Sequence, residues 1–368
     1  MTELMEQAPA AGTAVPAAHA GVVGGAAGAA AGGTVVELTM QQALNRALAD
    51  ALAADDRTLV FGEDVGRLGG VFRVTDGLRR RFGARRVFDT PLAESAIVGM
   101  AVGLAMSGWR PIPELQFDGF AYPALDQIVN QLARMHYRSR GTLPMPVTLR
   151  VPSYGGIQAP EHHGESLEAL FAHVPGLKVV SPSTPREGYR LLRQAVADPD
   201  PVVFMEPKSR YWDRESFDPA AEAEAAEAAA TGPGSPYTLR IARRGRHATL
   251  VTWGAMVKRC LEVAELAAED GVELEVVDLR WLSPLDAEGL AAAVRRTGRV
   301  VVVHEAPRRA GLGAEISALV MERCFDALRA PVARVTGYDV PTPAGPLEAH
   351  YLPDADRILL AVQAVLEG

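Results

Sequence analysis

Residues 248–303 decide the fold. Three short apolar segments stand in this stretch: Ala248-Thr-Leu-Val-Thr252, Glu273-Leu-Glu-Val-Val-Asp-Leu279 and Arg299-Val-Val-Val-Val303. Between them, residues 255–269 and 286–297 carry apolar side chains at helical spacing, and a further helix is expected over 313–327. Strands separated by single helices predict βαβ units with right-handed crossovers. Toward the N-terminus the same alternation recurs, with strands expected at 147–151, 177–181 and 201–205. That pattern predicts a mostly parallel sheet covered on both faces. The expected fold class is therefore α/β, with two doubly wound domains in series.

Thr39 with Gln42 three residues on forms a capping box, and Met40, Ala43, Leu44, Ala47, Leu48, Ala51 and Leu52 follow at helical spacing. A strand Thr58–Phe61 then ends in the loop Gly62-Glu63-Asp64-Val65. Residues 1–33 are mostly Ala and Gly, with too little apolar surface to offset their ordering entropy, so a disordered tail is expected there. Residues 219–230 are almost only Ala and Glu and allow a short solvated helix, while Thr231-Gly-Pro-Gly-Ser-Pro236 marks a linker. The expected organisation is a tail 1–33, a first domain 34–218, a linker 219–237 and a second domain 238–368.

The chain has 368 residues, a formal net charge of −8 and 48% hydrophobic residues. This balance argues against nucleic acid, whose phosphates are neutralised by Lys and Arg. No basic residue precedes Arg46, which fits neither a secretory signal nor an Arg-rich transit peptide. The longest apolar run, 95–109, is too short to span a bilayer and reads as a helix buried in protein. Cys260 and Cys324 have no metal-ligand spacing and read as buried free thiols. A soluble cytoplasmic protein without membrane contact is expected.

Four segments carry side chains suited to chemistry. Thr90-Pro-Leu-Ala-Glu-Ser-Ala-Ile-Val-Gly99 puts one carboxylate, Glu94, at the mouth of an otherwise uncharged helix, with Pro91 expected in the first turn. Glu94 either complements the helix dipole or, if buried, needs a partner for its charge. His162-His163 lie in a polar loop between two strands, where at most one would face a given pocket. His304-Glu305-Ala306-Pro307 ends a strand of four valines and serves either as a site or as a terminator. Phe117, Phe120 and Tyr122 stand among polar residues in 113–130, as core or as a slot for a flat heterocycle. Gly311-Leu-Gly-Ala-Glu-Ile316 lacks the third glycine of a dinucleotide loop and does not follow its strand directly. Walker, Gly-x-Ser-x-Gly and His-Glu-x-x-His signatures are absent from the sequence, which disfavours the classes built on them.

Taken together, Gly62-Glu-Asp-Val65, Thr90-Pro-Leu-Ala-Glu94, Gln116-Phe-Asp-Gly-Phe120, His163-Gly-Glu-Ser-Leu-Glu-Ala169, Pro175-Gly-Leu-Lys-Val-Val180 and Val302-Val-His-Glu-Ala-Pro307 resemble one family. It is the β subunit of the thiamine-diphosphate-dependent 2-oxo acid dehydrogenases, and the resemblance runs colinearly from about residue 36 to the end. It implies a pyrimidine-binding domain followed by a transketolase C-terminal-like domain. Glu94 matches the glutamate that hydrogen-bonds the pyrimidine nitrogen of thiamine diphosphate, which implies general acid–base catalysis through the cofactor. Phe120 matches the aromatic packed on the pyrimidine, and Glu63, Leu92 and Gln116 match residues lining that pocket. His163 matches a histidine expected to help acyl transfer to a lipoyl arm; His162 falls at a variable position. For a potassium ion found in some members, the matching positions are Met145, Val147, Thr148, Ala195, Asp198 and Asp200, with Asp200 replacing a family Asn.

The Gly-Asp-Gly and Asn-Asn motifs that hold the diphosphate and Mg²⁺ in this class are missing; the asparagines are Asn45 and Asn130. The resemblance therefore implies half a cofactor site. It also implies an α subunit that brings Mg²⁺ and the diphosphate half, in an α2β2 heterotetramer, and a separate lipoyl-bearing dihydrolipoamide acyltransferase. The sequence looks most like actinobacterial branched-chain members, implying a 2-oxo acid substrate of the 3-methyl-2-oxobutanoate type. Pyruvate is the alternative substrate. A non-catalytic assembly partner and a self-sufficient transketolase-like enzyme are the rival functions.

Overall fold

The computed structural model describes residues 33–368. The tail expected over 1–33 lies, but for Gly33, outside the described residues. The first half runs β1 (Val36–Thr39), α1 (Met40–Ala54), β2 (Thr58–Gly62), α2 (Leu78–Phe82), β3 (Val87–Asp89) and α3 (Glu94–Met106). It continues with β4 (Arg110–Glu114), α4 (Met135–Arg138), β5 (Thr148–Ser153), α5 (Glu168–Ala172), β6 (Lys178–Val180), α6 (Pro185–Ala197), β7 (Val202–Pro207) and β8 (Arg214–Phe217). After α7 (Pro219–Thr231) come β9 (Arg240–Arg243), β10 (Ala248–Thr252), α8 (Met256–Glu269), β11 (Leu274–Asp278) and β12 (Trp281–Ser283). The chain closes with α9 (Ala287–Thr297), β13 (Val300–Pro307), α10 (Leu312–Cys324), β14 (Ala333–Gly337), α11 (Glu348–Tyr351) and α12 (Ala355–Glu367).

Two sheets carry the fold. The larger has the order β12-β6-β7-β5-β4-β2-β3, parallel throughout except for β12 against β6. The smaller has the order β14-β13-β10-β11-β9, with β9 as its antiparallel edge. Strands β2, β5, β7, β10 and β11 are buried along their whole length, as strands covered on both faces must be. The expected capping box starts α1: Gln42 donates its backbone N–H to Thr39 Oγ1 (3.1 Å), and Gln42 Oε1 accepts the Thr39 N–H (2.9 Å). The apolar stripe read from the sequence is the face of α1 that is buried.

The short helix allowed over 219–230 is present as α7, capped by Asp218 and pinned to α6 as Glu222 meets Arg186 and Arg190. Two expectations need correction. Residues 281–283, placed by sequence in the second domain, form β12 and extend the first sheet, where Trp281 is 1% exposed. Helix α3 begins at Glu94, so Pro91 stands before its first turn. One face of α3, with Ala96, Met100, Gly103 and Met106, is exposed in this chain. No helix among the described residues is long and apolar enough to cross a membrane.

Candidate active site

The carboxyl ends of β2, β3, β4 and β5 are neighbours in the larger sheet, and the loops leaving them gather most of the sequence-predicted site. The loop after β2 brings Glu63 and Asp64. The loop after β3 leads to Leu92 and Glu94. The loop after β4 brings Gln116, Phe117 and Phe120, and the loop after β5 brings His162 and His163. Gln116 Nε2 donates to Asp64 Oδ2 at 3.0 Å, joining the β2 and β4 loops. Ser95, next to Glu94, donates its hydroxyl to the Pro123 carbonyl and ties the head of α3 to the turn that carries Phe120.

Glu63 is 7% exposed, and its Oε1 is buried without a hydrogen-bond partner. Burial pushes the Glu63 carboxyl above the ordinary carboxylate range, and the negative charge of Glu94 beside it pushes the same way. Glu94 itself is half-buried at the first position of α3, where the helix offers no side-chain cap. Two carboxylates of unequal burial, Glu63 and Glu94, thus stand near one another, and Glu63 is the one biased toward its protonated form. The structure places Leu92 on the surface, 79% exposed.

The histidine loop closes over the aromatics. The His163 ring stands edge-on to Phe117 at 4.4 Å and to Phe120 at 5.0 Å, while Phe117 and Phe120 meet at 5.6 Å. Its Nδ1 lies 2.8 Å from the Glu161 carbonyl, so Nδ1 is the ring nitrogen that carries the proton in this contact. His162 is exposed and has φ 66°, and its Nε2 lies 3.8 Å from Glu161 Oε1. Gly119 makes the approach possible, since a Cβ there would lie 2.1 Å from the His162 carbonyl oxygen.

Directly beneath the site, Arg150 of β5 bridges its neighbours. It donates to Glu114 Oε2 of β4 (2.5 Å) and to both oxygens of Glu206 of β7 (2.7 and 2.9 Å). Burial alone would lower the guanidinium pKa, but Glu206 and Glu114 hold it above its ordinary value.

Models of two protein families match the chain. "Transketolase, pyrimidine binding domain" covers residues 36–212 and "Transketolase, C-terminal domain" covers 238–358. The chain is 51% identical over 332 residues to the pyruvate dehydrogenase E1 component subunit beta of Leifsonia xyli subsp. xyli, covering 90% of this chain and 96% of that one. The chain belongs to the β subunits of the 2-oxo acid dehydrogenases. This β subunit is also 53% identical over 331 residues to the 3-methyl-2-oxobutanoate dehydrogenase subunit beta of Mycobacterium tuberculosis, covering 89% and 92% of the two chains. A solved structure titled "Split gene transketolase, inactive beta4 tetramer" superposes with TM-score 0.71 at 24% identity, over 91% of this chain and 99% of that one, and shows the same fold.

The positions expected to hold potassium cluster at the start of β5 and the end of α6, away from Glu94. Met145, Val147, Thr148, Ala195 and Asp198 are buried there, and Asp200 is half-buried. Several of their oxygens are already engaged. Lys178 Nζ donates to Asp198 Oδ1 (2.6 Å) and Asp200 Oδ2 (2.9 Å), Tyr237 donates to Asp198 Oδ2 (2.8 Å), and His136 Nδ1 meets Asp200 Oδ1 (2.5 Å). The Met145 and Val147 carbonyls accept backbone N–H groups at 2.7 and 2.9 Å. The Lys178 ammonium thus serves the two carboxylates, whereas potassium of the kind the resemblance implies is held mostly by backbone carbonyls. Among the described residues no group of three His, Cys, Asp or Glu side chains is arranged to hold a metal.

Sequence reasoning missed a buried acidic interior behind the histidine loop. Asp118 has no exposed surface and is pushed up to about 7 by burial, against the pull of Lys208, whose Nζ is 3.7 Å away. Burial likewise pushes Glu305 to about 7 and Glu168 to about 8, and neither Glu168 oxygen has a partner. His304, left open between site and terminator, is a neutral core residue: burial takes it down to about 3, and it stacks on Trp253 at 5.2 Å. Glu305 instead reaches the histidine loop, accepting the Gly155 N–H at 2.8 Å.

Proposed function

We propose that this β subunit supplies the pyrimidine side of a thiamine-diphosphate site completed by an α subunit in an α2β2 assembly. The assembled pair oxidatively decarboxylates a branched-chain 2-oxo acid of the 3-methyl-2-oxobutanoate type. It then passes the acyl group to the lipoyl group of a separate acyltransferase. The observation that carries the reading is the unequal carboxylate pair, buried Glu63 and half-buried Glu94, beside the half-buried Phe120 ring. The buried, partnerless Glu63 Oε1 and the exposed face of Glu94 suit a heterocycle with a basic nitrogen and an exocyclic amine. When bound, the cofactor supplies the electron sink for decarboxylation, which no protein side chain offers.

Glu94 holds a proton at the ring nitrogen and orients the ring, with Phe120 packing against its face. Burial and the neighbouring Glu94 bias Glu63 toward its neutral form, which limits the negative charge beside the ring. His163 stands above Phe120 and is placed to give or take a proton during acyl transfer. Mg²⁺ and the diphosphate fall to the α subunit, which carries the motifs this chain lacks. The second reading, pyruvate as substrate, draws on the 51% identity to the Leifsonia pyruvate dehydrogenase subunit.

The experiment is reconstitution with a cognate α subunit, thiamine diphosphate and Mg²⁺, comparing kcat/KM for 3-methyl-2-oxobutanoate and pyruvate. Contacts of one or two methylenes are worth about 1–3 kcal/mol, so the branched acid is expected to be preferred about 10- to 200-fold. A preference for pyruvate overturns the assignment. No activity toward either acid in a correctly assembled heterotetramer favours the assembly partner. Tight Mg²⁺-dependent cofactor binding by the β subunit alone favours the transketolase-like rival.

A further inference from the structure

We propose that Glu348, with Glu305, is a positioning residue that holds the His163 loop in its working shape from the C-terminal half of the chain. The proposal rests on the role given above to His163. Residues 154–165 form a tense loop: Tyr154, Gln158 and His162 all have positive φ (72°, 54° and 66°), as does Gly156 (91°). L-residues rarely adopt this conformation, and it persists only where the surroundings over-determine it. Local bonds are few at the tip, where His163 N–H reaches the Pro160 carbonyl at 3.2 Å.

The restraint comes from carboxylates on three separate elements. Asp118, in the turn after β4, accepts the Tyr154 N–H at 2.8 Å. Glu305 at the end of β13 accepts the Gly155 N–H at 2.8 Å. Glu348 of α11 accepts the Gln158 N–H through Oε2 at 2.7 Å. Its other oxygen fills the space between the loop's two shoulders, 2.7 Å from a Cβ placed at Gly155 and 3.3 Å from one placed at Gly164. A fourth tie runs from Gly345 N–H, three residues before Glu348, to the Ala159 carbonyl at 3.1 Å. Glu348 is 3% exposed, and the buried Lys208 ammonium supplies positive charge to Glu348, Glu305 and Asp118 alike. Backbone N–H bonds to a carboxylate are among the stronger hydrogen bonds, and here they are spent on one short loop. Glu348 bonds the loop at Gln158, five residues before His163, so its effect reaches the chemistry through the position of His163.

The test uses the reconstituted heterotetramer carrying Glu348→Ala, Glu348→Gln or His163→Ala. Three quantities are read: amide hydrogen exchange over residues 155–163, decarboxylation with an artificial electron acceptor, and acyl transfer to an isolated lipoyl domain. Glu348→Ala is expected to quicken exchange about tenfold or more, the scale of one lost charge-assisted bond. It should lower acyl-transfer kcat by a similar factor and decarboxylation much less. Glu348→Gln keeps an acceptor for the Gln158 N–H and should recover most of both losses. Unchanged exchange in Glu348→Ala overturns the proposal. So does a parallel fall in decarboxylation and acyl transfer, or a Gln variant as impaired as Ala. Intact acyl transfer in His163→Ala, with quickened exchange in Glu348→Ala, overturns the role of His163 instead and removes the catalytic half of the proposal.

Discussion

Replacing Arg150 by Met tests the electrostatics beneath the site. Arg150 is fully buried and donates three bonds to two carboxylates, each on a neighbouring strand. Removing one partner of a buried ion pair costs about 3–5 kcal/mol, because the remaining charge is left in a poorly polarisable interior. Two carboxylates lose the same partner here, but Glu206 still accepts the Tyr211 hydroxyl at 2.7 Å, which places the loss near about 5 kcal/mol rather than twice that. At roughly 2–4 °C per kcal/mol, the thermal midpoint should fall by about 10 °C. The pH dependence fixes the cause. Without the guanidinium, burial raises both folded carboxyl pKa values above their unfolded value of about 4.3. A raised acid contributes stability at low pH that is lost as pH rises through the folded value, so the deficit must shrink between pH 8 and pH 5.5. Melting curves of wild type, Arg150→Met and the triple variant that adds Glu114→Gln and Glu206→Gln would measure this. The triple variant should recover most of the loss, since a neutral, well-packed replacement of a buried ionic network is often tolerated. A loss below about 1 kcal/mol, an equal deficit at both pH values, or no recovery in the triple variant refutes the reasoning.

Four further outcomes are expected. Glu94→Gln in the reconstituted heterotetramer should lower decarboxylation by about 10²–10⁴, with the melting midpoint unchanged; turnover within a few-fold of wild type contradicts its role. Glu168→Gln removes a buried carboxyl pushed up to about 8, whose stabilising protonated form is lost as pH rises through that value. Its midpoint should therefore rise relative to wild type more at pH 9 than at pH 6, as scanning calorimetry would read. Gly119→Ala forces the His162 carbonyl away and should destabilise by about 1–3 kcal/mol while slowing acyl transfer, seen in parallel melting and lipoyl-acylation assays. Replacing K⁺ by Na⁺ at constant ionic strength tests the potassium positions: a bound ion should lower the midpoint in Na⁺ by more than about 1 °C, and a smaller change counts against it.

Where local chemistry and tertiary packing agreed, the sequence was readable. The Thr39 capping box and the alternation of strand and helix each leave a local trace that stands in the structure, and the valine strand does too, though it runs on through His304 to Pro307. Helix α3 is nearly all apolar or small, so its periodicity has no contrast and cannot say which face is covered. Strand β12 is three residues long, and its partner β6 lies about a hundred positions earlier, a pairing no local pattern encodes. At the site, Glu63, Glu94, Gln116, Phe120 and His163 were named by the resemblance, and the structure puts them in the segments that follow four adjacent strands. Glu348 sits in an unremarkable four-residue helix, and its importance to Gln158 exists only through the fold. Lys178 shows the converse: its sequence neighbours gave no hint that its ammonium would reach two aspartates twenty and twenty-two residues away.

The crossing of β12 into the larger sheet has a consequence for how such a chain can be divided. A gene cut in the Pro/Gly segment after α7 would yield a first fragment whose β6 edge is bare and a second fragment with Trp281 and its strand hanging free. Bare edges pair with whatever strand is at hand. The halves are thus not interchangeable cassettes: each finishes the other's surface. A lineage that separates them must first invent a new rim for β6.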